Sequence, residues 1–312
     1  MTADPVRAIA DAVLYEGYIL WPYRRSALKN QRRFTFGGVY PPAHASRHPD
    51  DPDTMRAEVL VRGPADVEIE ITVRFLQIAQ RTVLGPDGSP VDERIVDGER
   101  FVSWEEAIER EISARSASTP IRIAAGEVQE GFLTRRWGRL DGVIAARVRP
   151  AGRDGIQRLA ITVRNLTPFA PGHSRDDALR SSFCSTHMLM RAPSGAEFVS
   201  PTDPPPDLAE EVAACRNAGC WPVLVGEPGQ ARTVLASPII LEDHPAIAPE
   251  SPGDMFDGGE IDQLLVLNIL ALSDEEQAEM AASDPRAAEI LERVKRLAPE
   301  QLMALHGRTA LR

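Results

Sequence analysis

The alternation of apolar and polar residues predicts a body built from β-strands. The clearest strand is "VEIEITVRF", residues 67–75, where apolar and polar residues alternate with the period of two that is typical of a half-buried strand. The "GPDGSP" that follows predicts a turn into a partner strand near residues 91–96. Two strands are predicted between residues 141 and 168, and others at 182–191 and near 222–225.

Helix-start patterns predict two helices in the first 115 residues of the chain. Pro5 suits the first position of a helix, which is predicted to run to about Val13. Ser103 and Glu106 have the spacing of a capping box, and the apolar stripe that follows predicts a helix over residues 104–115.

Residues 41–53, "PPAHASRHPDDPD", are rich in proline and polar residues and show no hydrophobic period. They are predicted to form an exposed loop. His44 and His48 within it indicate no particular chemistry.

The C-terminal end changes to a helical pattern. Ser273 and Glu276 form a second capping box, and Asp284 before Pro285 marks another helix start. The predicted fold is therefore α+β, with antiparallel strands in a β-sandwich-like or curled sheet and a helical C-terminal region packed on it. We place the mainly β body at residues 1–255 and the helical region at 256–312.

The composition limits the classes of partner. The formal net charge of -11 argues against binding to nucleic acid or to an anionic membrane surface, because an anionic partner needs a basic surface. The start "MTADPVRAIADAV" has acidic residues where a signal peptide has basic and apolar regions, and no apolar run has the length of a membrane span. Three cysteines do not predict a disulfide framework. We therefore expect a cytoplasmic protein.

The acidic stretch "PESPGDMFDGGEID", residues 249–262, raises the question of a metal site. A calcium loop needs oxygen ligands at its first, third and fifth positions, but counting from Asp254 places an aromatic residue and a glycine at the latter two. With Asp257 as the N-cap, Glu260 falls at the third helical position, which is the spacing of a capping box. The stretch therefore favours a helix start capped by Asp257.

Four zinc-capable side chains form the best candidate for a metal site: Cys184, His187, Cys215 and Cys220. Their spacing matches structural zinc sites only loosely, and in a strand Cys184 and His187 would point to opposite faces. We predict no metal or other cofactor. A metal-binding enzyme or metal chaperone that uses these four residues remains the alternative.

The segment between residues 14 and 40 combines aromatic and arginine residues, which are enriched where proteins bind proteins. Such a segment could also stack on a nucleic-acid strand, but the acidic chain as a whole favours a protein partner. We predict contacts to a protein through eight side chains: Tyr18, Trp21, Tyr23, Arg24, Arg25, Lys29, Arg32 and Arg33.

Two stretches carry a resemblance that covers nearly the whole chain. They are "IADAVLYEGYILWPYRRSALKN", residues 9–30, and "CWPVLVGEPGQARTVLASPIILEDHPAIAPESPGDMFDGGEIDQ", residues 220–263. The chain resembles a family whose genes lie in the neighbourhoods of uptake NiFe hydrogenases. The resemblance implies a context, and it supplies no catalytic residue or cofactor.

The leading interpretation is a non-catalytic accessory or assembly protein in NiFe-hydrogenase biogenesis or function. Its partner would be a hydrogenase subunit or a maturation factor, as the resemblance implies. The common nucleophile, phosphate-loop, dinucleotide and zinc-protease motifs are missing from the sequence. A ligand-binding β-sandwich module is a further alternative, and its sign would be a concave, aromatic-lined face.

Overall fold

The computed structural model describes residues 5–15, 18, 34, 36–114, 118–170, 172–245 and 268–296. Its strands in chain order are β1 (Thr54–Arg62), β2 (Glu70–Leu84), β3 (Pro90–Val91), β4 (Glu93–Val96), β5 (Glu99–Val102), β6 (Trp104–Ala114), β7 (Ser118–Ile123), β8 (Gly126–Glu130), β9 (Leu133–Trp137), β10 (Leu140–Pro150), β11 (Ile156–Asn165), β12 (Cys184–Arg191), β13 (Glu197–Phe198), β14 (Trp221–Leu224) and β15 (Thr233–Ser237). Its helices are α1 (Pro5–Tyr15), α2 (Pro42–Ala45), α3 (Arg175–Leu179), α4 (Ala209–Ala213), α5 (Asp274–Ser283) and α6 (Pro285–Lys295).

Within these ranges the strands form two antiparallel sheets and a separate hairpin. The smaller sheet has the strand order β13, β1, β11, β10, β7. The larger sheet has the order β14, β15, β12, β2, β9, β8, and β6 and β3 also pair with β2. The hairpin consists of β4 and β5.

The main hydrophobic core lies between the two sheets. Val59 and Val61 of β1 and Ile161 of β11 belong to the same buried cluster as Val73 and Phe75 of β2. These residues occupy alternate positions of their strands, so one face of each strand points inward. Because each fully buried apolar side chain contributes ~1.5–3 kcal/mol, this interface is the main source of stability.

Helices cover the outer face of the larger sheet. Ile9 and Val13 of α1 pack with Leu189 of β12 in one buried cluster. In another, Ile290 of α6 packs with Leu76 of β2. The molecule is thus built from two sheets and a helical layer, and none of the helices in the described ranges is long and apolar enough to span a bilayer.

The predicted helix over residues 104–115 is wrong, because β6 occupies this stretch and pairs with β2. Ser103 does not cap a helix, and its hydroxyl oxygen instead accepts a hydrogen bond from the backbone N–H of Val83 at 2.9 Å. Strand pairing with a distant segment outweighs the local helical stripe, and spacing along the chain does not show such pairing.

The strand predicted over residues 67–75 forms, but its bounds and burial differ from the prediction. It begins at Glu70, extends to Leu84 and is buried on both faces over most of its length. The polar face of the pattern lies under the helical layer, so that Arg74 is buried although the alternation predicted it to be exposed.

The predicted α+β fold with antiparallel sheets is confirmed. The strands β10, β11, β12 and β14 and the helix α1 form where they were predicted. Ser273 and Asp284 are the N-caps of α5 and α6, as their spacing indicated. The division between residues 255 and 256 and the predicted cap Asp257 lie outside the described residues.

Candidate functional site

An open cleft of about 230 Å³ lies between residues 36–40 and the start of β14. Among the described Phe, Tyr and Trp side chains, Phe36 and Trp221 are the most exposed, at 37% and 46%. Both line this cleft, and exposed apolar surface that is gathered in a groove is one mark of a binding site. We call it the aromatic cleft and define it by Phe36, Tyr40, Asp50, Asp51 and Trp221.

A β-bulge in β12 positions Phe36. The pairing of β12 with β2 is irregular around Ser185, whose φ is +50°. The backbone N–H of Ser185 donates to the carbonyl of Phe36 at 3.1 Å, and that of Thr186 donates to Gly37 at 2.9 Å. Bulges redirect backbone groups in this way, and here they fix residues 36 and 37 at the rim of the cleft.

Gly37 allows the backbone to pack closely beneath Phe36. Its φ is +56°, a conformation that side chains disfavour. A Cβ atom at this position would lie 2.8 Å from Cβ of Pro238 and 2.9 Å from the backbone nitrogen of Thr186. The glycine is therefore required by the close contact with Pro238, which also lines the cleft.

Trp221 projects outward at the exposed start of its strand, whose other three residues are buried. It is the first residue of β14 and pairs with Ser237 of β15, while its neighbours Cys220 and Pro222 are buried. The Sγ atom of Cys220 lies 3.2 Å from the carbonyl oxygen of Arg56, which ties this end of the strand to the smaller sheet. The indole is thus held on a fixed backbone.

Tyr40 and Asp51 line the opposite wall, and stacked rings and an ion pair behind them support it. His44 stacks between Tyr40 and His48, with ring centroids 5.2 and 4.2 Å apart. Its Nε2 atom lies 2.9 Å from Asp51, and Arg175 of α3 binds both oxygens of the same carboxylate at 3.1 Å. This two-point arginine–carboxylate geometry preforms the wall.

The two carboxylates of the cleft differ in their electrostatic state. Burial alone would raise the pKa of Asp51, but hydrogen bonds from Arg175 and His44 outweigh burial and lower it. The neighbouring Tyr40 shifts in the opposite direction: burial raises its pKa and outweighs the opposing charge of Arg175. Asp50 is exposed and forms no ion pair with any described residue, so it is the uncompensated charge of the cleft.

Tyr18 is the predicted partner contact that the structure describes, and the prediction is wrong for it. Tyr18 is 1% exposed. Its hydroxyl donates to Asp284 at 2.6 Å and accepts a hydrogen bond from the backbone N–H of Ala107 at 3.2 Å. The other seven predicted contacts lie outside the described residues: Trp21, Tyr23, Arg24, Arg25, Lys29, Arg32 and Arg33.

Tyr18 belongs to a second polar cluster, which lies beneath α1 and α6. Arg74 of β2 is buried, with its Nη2 atom 2.6 Å from Asp11 of α1 and 3.5 Å from Glu109 of β6. Arg286 of α6 also binds Glu109, at 2.8 Å, and its guanidinium lies 3.6 Å from the ring centre of Tyr15. These contacts join the helical layer to the larger sheet. We call this the covered cluster: Asp11, Tyr15, Tyr18, Arg74, Glu109, Asp284 and Arg286.

His187 lies directly opposite Arg74 in the sheet and is fully buried. Its Nδ1 atom is 3.1 Å from the carbonyl oxygen of Ser185, and its Nε2 atom has no hydrogen-bond partner among the described residues. Burial is the main cause that lowers the pKa of His187 to about 3, and the charge of Arg74 adds to it. His187 is therefore a neutral imidazole at neutral pH.

The four residues of the alternative metal site are not brought together. Cys184 packs in the cluster beneath α5 and α6, Cys220 lies in the core between the sheets, and Cys215 packs beside Leu208. Burial raises the pKa of Cys220 to about 12 and also raises that of Cys215, which disfavours the thiolate that binds zinc. The described part of the chain contains no group of three or more His, Cys, Asp or Glu side chains placed to hold a metal ion.

Sequence reasoning missed the wall of the cleft. The stretch 41–53 was predicted to be an exposed loop, but it contains α2 and the buried His44. A signal was present, because His44 and His48 are four residues apart and share a helical face. No comparable signal marks Trp221, because it stands in the continuous apolar run "CWPVLV", residues 220–225.

No protein-family model matches the chain, and no curated protein matches it with significant similarity. These comparisons neither support nor contradict a hydrogenase context. The case for a function therefore depends on the chemistry of the aromatic cleft.

Proposed function

We propose that the chain is a non-catalytic accessory or assembly protein that binds another protein at the aromatic cleft. The observation that carries this proposal is the convergence of Phe36 and Trp221, the most exposed described aromatic residues, on one concave surface. Tryptophan is among the residues that dominate binding energy in protein interfaces, and such residues act best in preformed pockets. The stacked wall around His44 and Asp51 gives the cleft that preformed shape.

The partner that we propose is a NiFe-hydrogenase subunit or maturation factor in the cytoplasm. The support for this part is the resemblance of residues 9–30 and 220–263 to a family from hydrogenase gene neighbourhoods. Trp221 belongs to the second of these stretches. The arginine-rich residues 24–33 remain predicted as further partner contacts.

A ligand-binding module is the second candidate, because the cleft is concave and lined by aromatic residues. The volume of the cleft, about 230 Å³, argues against a ligand-binding module. Pockets that enclose small-molecule ligands usually measure ~300–1,000 Å³ and bury most of the ligand. A small and open cleft is better suited to one side chain that projects from a folded partner.

The test is co-purification of the tagged chain from its native host. We expect the wild-type protein to retain a hydrogenase subunit or maturation factor, and Trp221→Ala to lose it, because the substitution removes the largest apolar contact of the cleft. Val128→Ala is the matched control, since Val128 is 45% exposed and Trp221 is 46% exposed. Retention of the partner by Trp221→Ala would contradict the cleft as the binding surface, and a wild-type preparation without any hydrogenase-related protein would contradict the context.

A further inference from the structure

We propose that the aromatic cleft binds a cationic side chain of the partner, an arginine or a lysine, with Asp50 as its counter-ion. This inference rests on the proposed function and adds the chemistry of the partner. The charged side chains among the described lining residues are Asp50 and Asp51, both negative. The side chain that complements such a lining is positively charged.

Only one of the two carboxylates is available to an incoming cation. Asp51 is already bound by Arg175 at 3.1 Å and by His44 at 2.9 Å. Asp50 is exposed and forms no ion pair within the described ranges. A cation can therefore pair with Asp50 without displacing an existing contact.

The aromatic walls favour the same occupant. A cation is attracted to the face of an aromatic ring within ~6 Å of its centre, and tryptophan is the strongest of these rings. Trp221 and Phe36 both leave part of their surface open to the cleft. The wall already contains one such contact, because the guanidinium of Arg175 lies 5.4 Å from the ring centre of Tyr40. A partner arginine or lysine would place its apolar stem against Phe36 and its charge near Trp221 and Asp50.

The experiment uses the full chain and small probes followed by NMR. The charged probes are N-acetyl-arginine amide and N-acetyl-lysine amide, and the uncharged match is N-acetyl-citrulline amide. We expect both charged probes to shift the backbone N–H signals of Gly37 and Gly38 and the indole N–H of Trp221 in a saturable way. Citrulline amide should bind at least about threefold more weakly, as expected for loss of an exposed charge pair.

Variants assign the effect to residues. Asp50→Asn should weaken the binding of arginine amide about threefold, and Trp221→Ala should remove the shifts at Gly37 and Gly38. Asp154→Asn is the matched control, because Asp154 is also an exposed aspartate and lies outside the cleft lining. It should leave the binding unchanged.

Three outcomes would overturn the inference: equal binding of the arginine and citrulline amides, unchanged binding by Asp50→Asn, or no shift with any probe. Co-purification separates such a failure from a failure of the proposed function. If Trp221→Ala loses the partner and Asp50→Asn retains it fully, the protein contact stands and the role of Asp50 is refuted. If Trp221→Ala retains the partner, the proposed function fails, and the inference fails with it.

Discussion

The aromatic cleft and the covered cluster contain the same types of residue in opposite settings. In each, an arginine binds a carboxylate and also lies over a tyrosine ring: Arg175 over Tyr40 at the cleft, and Arg286 over Tyr15 in the covered cluster. In the covered cluster the hydroxyl of Tyr18 is satisfied inside the protein by Asp284 and Ala107. In the cleft Trp221 and Asp50 remain open to solvent.

The difference shows that exposure follows from which distant element covers a surface. The covered cluster is closed by α6. Arg286 of this helix contacts Tyr15, although the two residues are 271 positions apart in the sequence. None of the described elements covers Trp221. Residue type alone therefore predicted a surface at Tyr18, where the fold has placed an interior cross-link.

The largest expected effect is a loss of folding stability on substitution in the covered cluster, which the aromatic cleft should not show. Tyr18→Ala should lower the free energy of unfolding by ~3–5 kcal/mol, because it removes a buried aromatic side chain and leaves a cavity. Trp221→Ala should change it by less than ~1 kcal/mol, since a half-exposed side chain contributes little to folding. Urea unfolding followed by circular dichroism measures both.

Phe34→Ala is the control for Tyr18→Ala. Phe34 is buried, and its ring centre is 5.6 Å from that of Tyr18, so it should show a loss of similar size. If Tyr18→Ala lowered the free energy of unfolding as little as Trp221→Ala, Tyr18 would belong to the surface. The contrast between the covered cluster and the aromatic cleft would then be wrong.

The second effect depends on pH and concerns His187, beside the covered cluster. Its pKa is about 3 in the folded protein, against ~6.5 for an unperturbed histidine, so the unfolded state binds more protons between these values. The free energy of unfolding should therefore fall as the pH drops below ~6.5, by ~2 kcal/mol at pH 5 from this residue. His187→Leu should remove that part of the pH dependence, as measured by urea unfolding from pH 7.5 to pH 5.

His48→Leu provides the control for the second prediction. His48 is exposed and stacks on His44 behind the wall of the aromatic cleft, so its replacement should leave the slope nearly unchanged. A His187→Leu protein with the wild-type slope would show that His187 is protonated in the folded state, contrary to its burial.

The fold class could be predicted from sequence because local patterns carry it. The caps at Ser273 and Asp284 and the alternation in β11 each depend on neighbouring residues. The helix predicted over 104–115 failed because β6 is defined by its pairing with β2, which no local pattern encodes.

The candidate site was largely unpredictable for the same reason. The cleft brings together Phe36, Asp50 and Trp221, which lie on segments joined only in the folded chain. Part of what positions Phe36 is the bulge at Ser185, and residues 184–187, "CSTH", include no glycine that would signal a bulge. Trp221 stands in the continuous apolar run of residues 220–225, so the sequence showed neither its outward direction nor its neighbours across the cleft.

A smaller effect is expected at the wall of the aromatic cleft. Asp51→Asn removes the charge that Arg175 and His44 bind, and should cost ~1 kcal/mol at pH 7, since Arg175 is partly exposed and solvent weakens the pair. The pKa of Asp51 is lowered in the folded protein, so its contribution is present above the ordinary aspartate value of ~3.9 and is lost as the pH falls through the lower folded value. Unfolding at pH 7 and pH 3 should therefore show a difference from wild type that shrinks at pH 3. An equal difference at both pH values would mean that the charge of Asp51 is not what stabilises the wall.

The last prediction, with an expected effect of similar size, compares one helix cap from each region. Ser174 caps α3, which carries Arg175 at the cleft, and Ser273 caps α5, which belongs to the helical layer; both form capping boxes with the third residue of the helix. Replacing either serine with alanine should cost ~1 kcal/mol of global stability, because one backbone N–H loses its partner.

Hydrogen exchange distinguishes the effects of the two substitutions. If the helical layer can open without the sandwich unfolding, Ser273→Ala should speed exchange in α5 and α6 and leave α3 unchanged, whereas Ser174→Ala should speed exchange in α3 alone. Parallel acceleration of exchange in all three helices by either variant would show that the sandwich and the helical layer unfold as one unit. The covered cluster would then be as much a part of the core as the residues between the sheets.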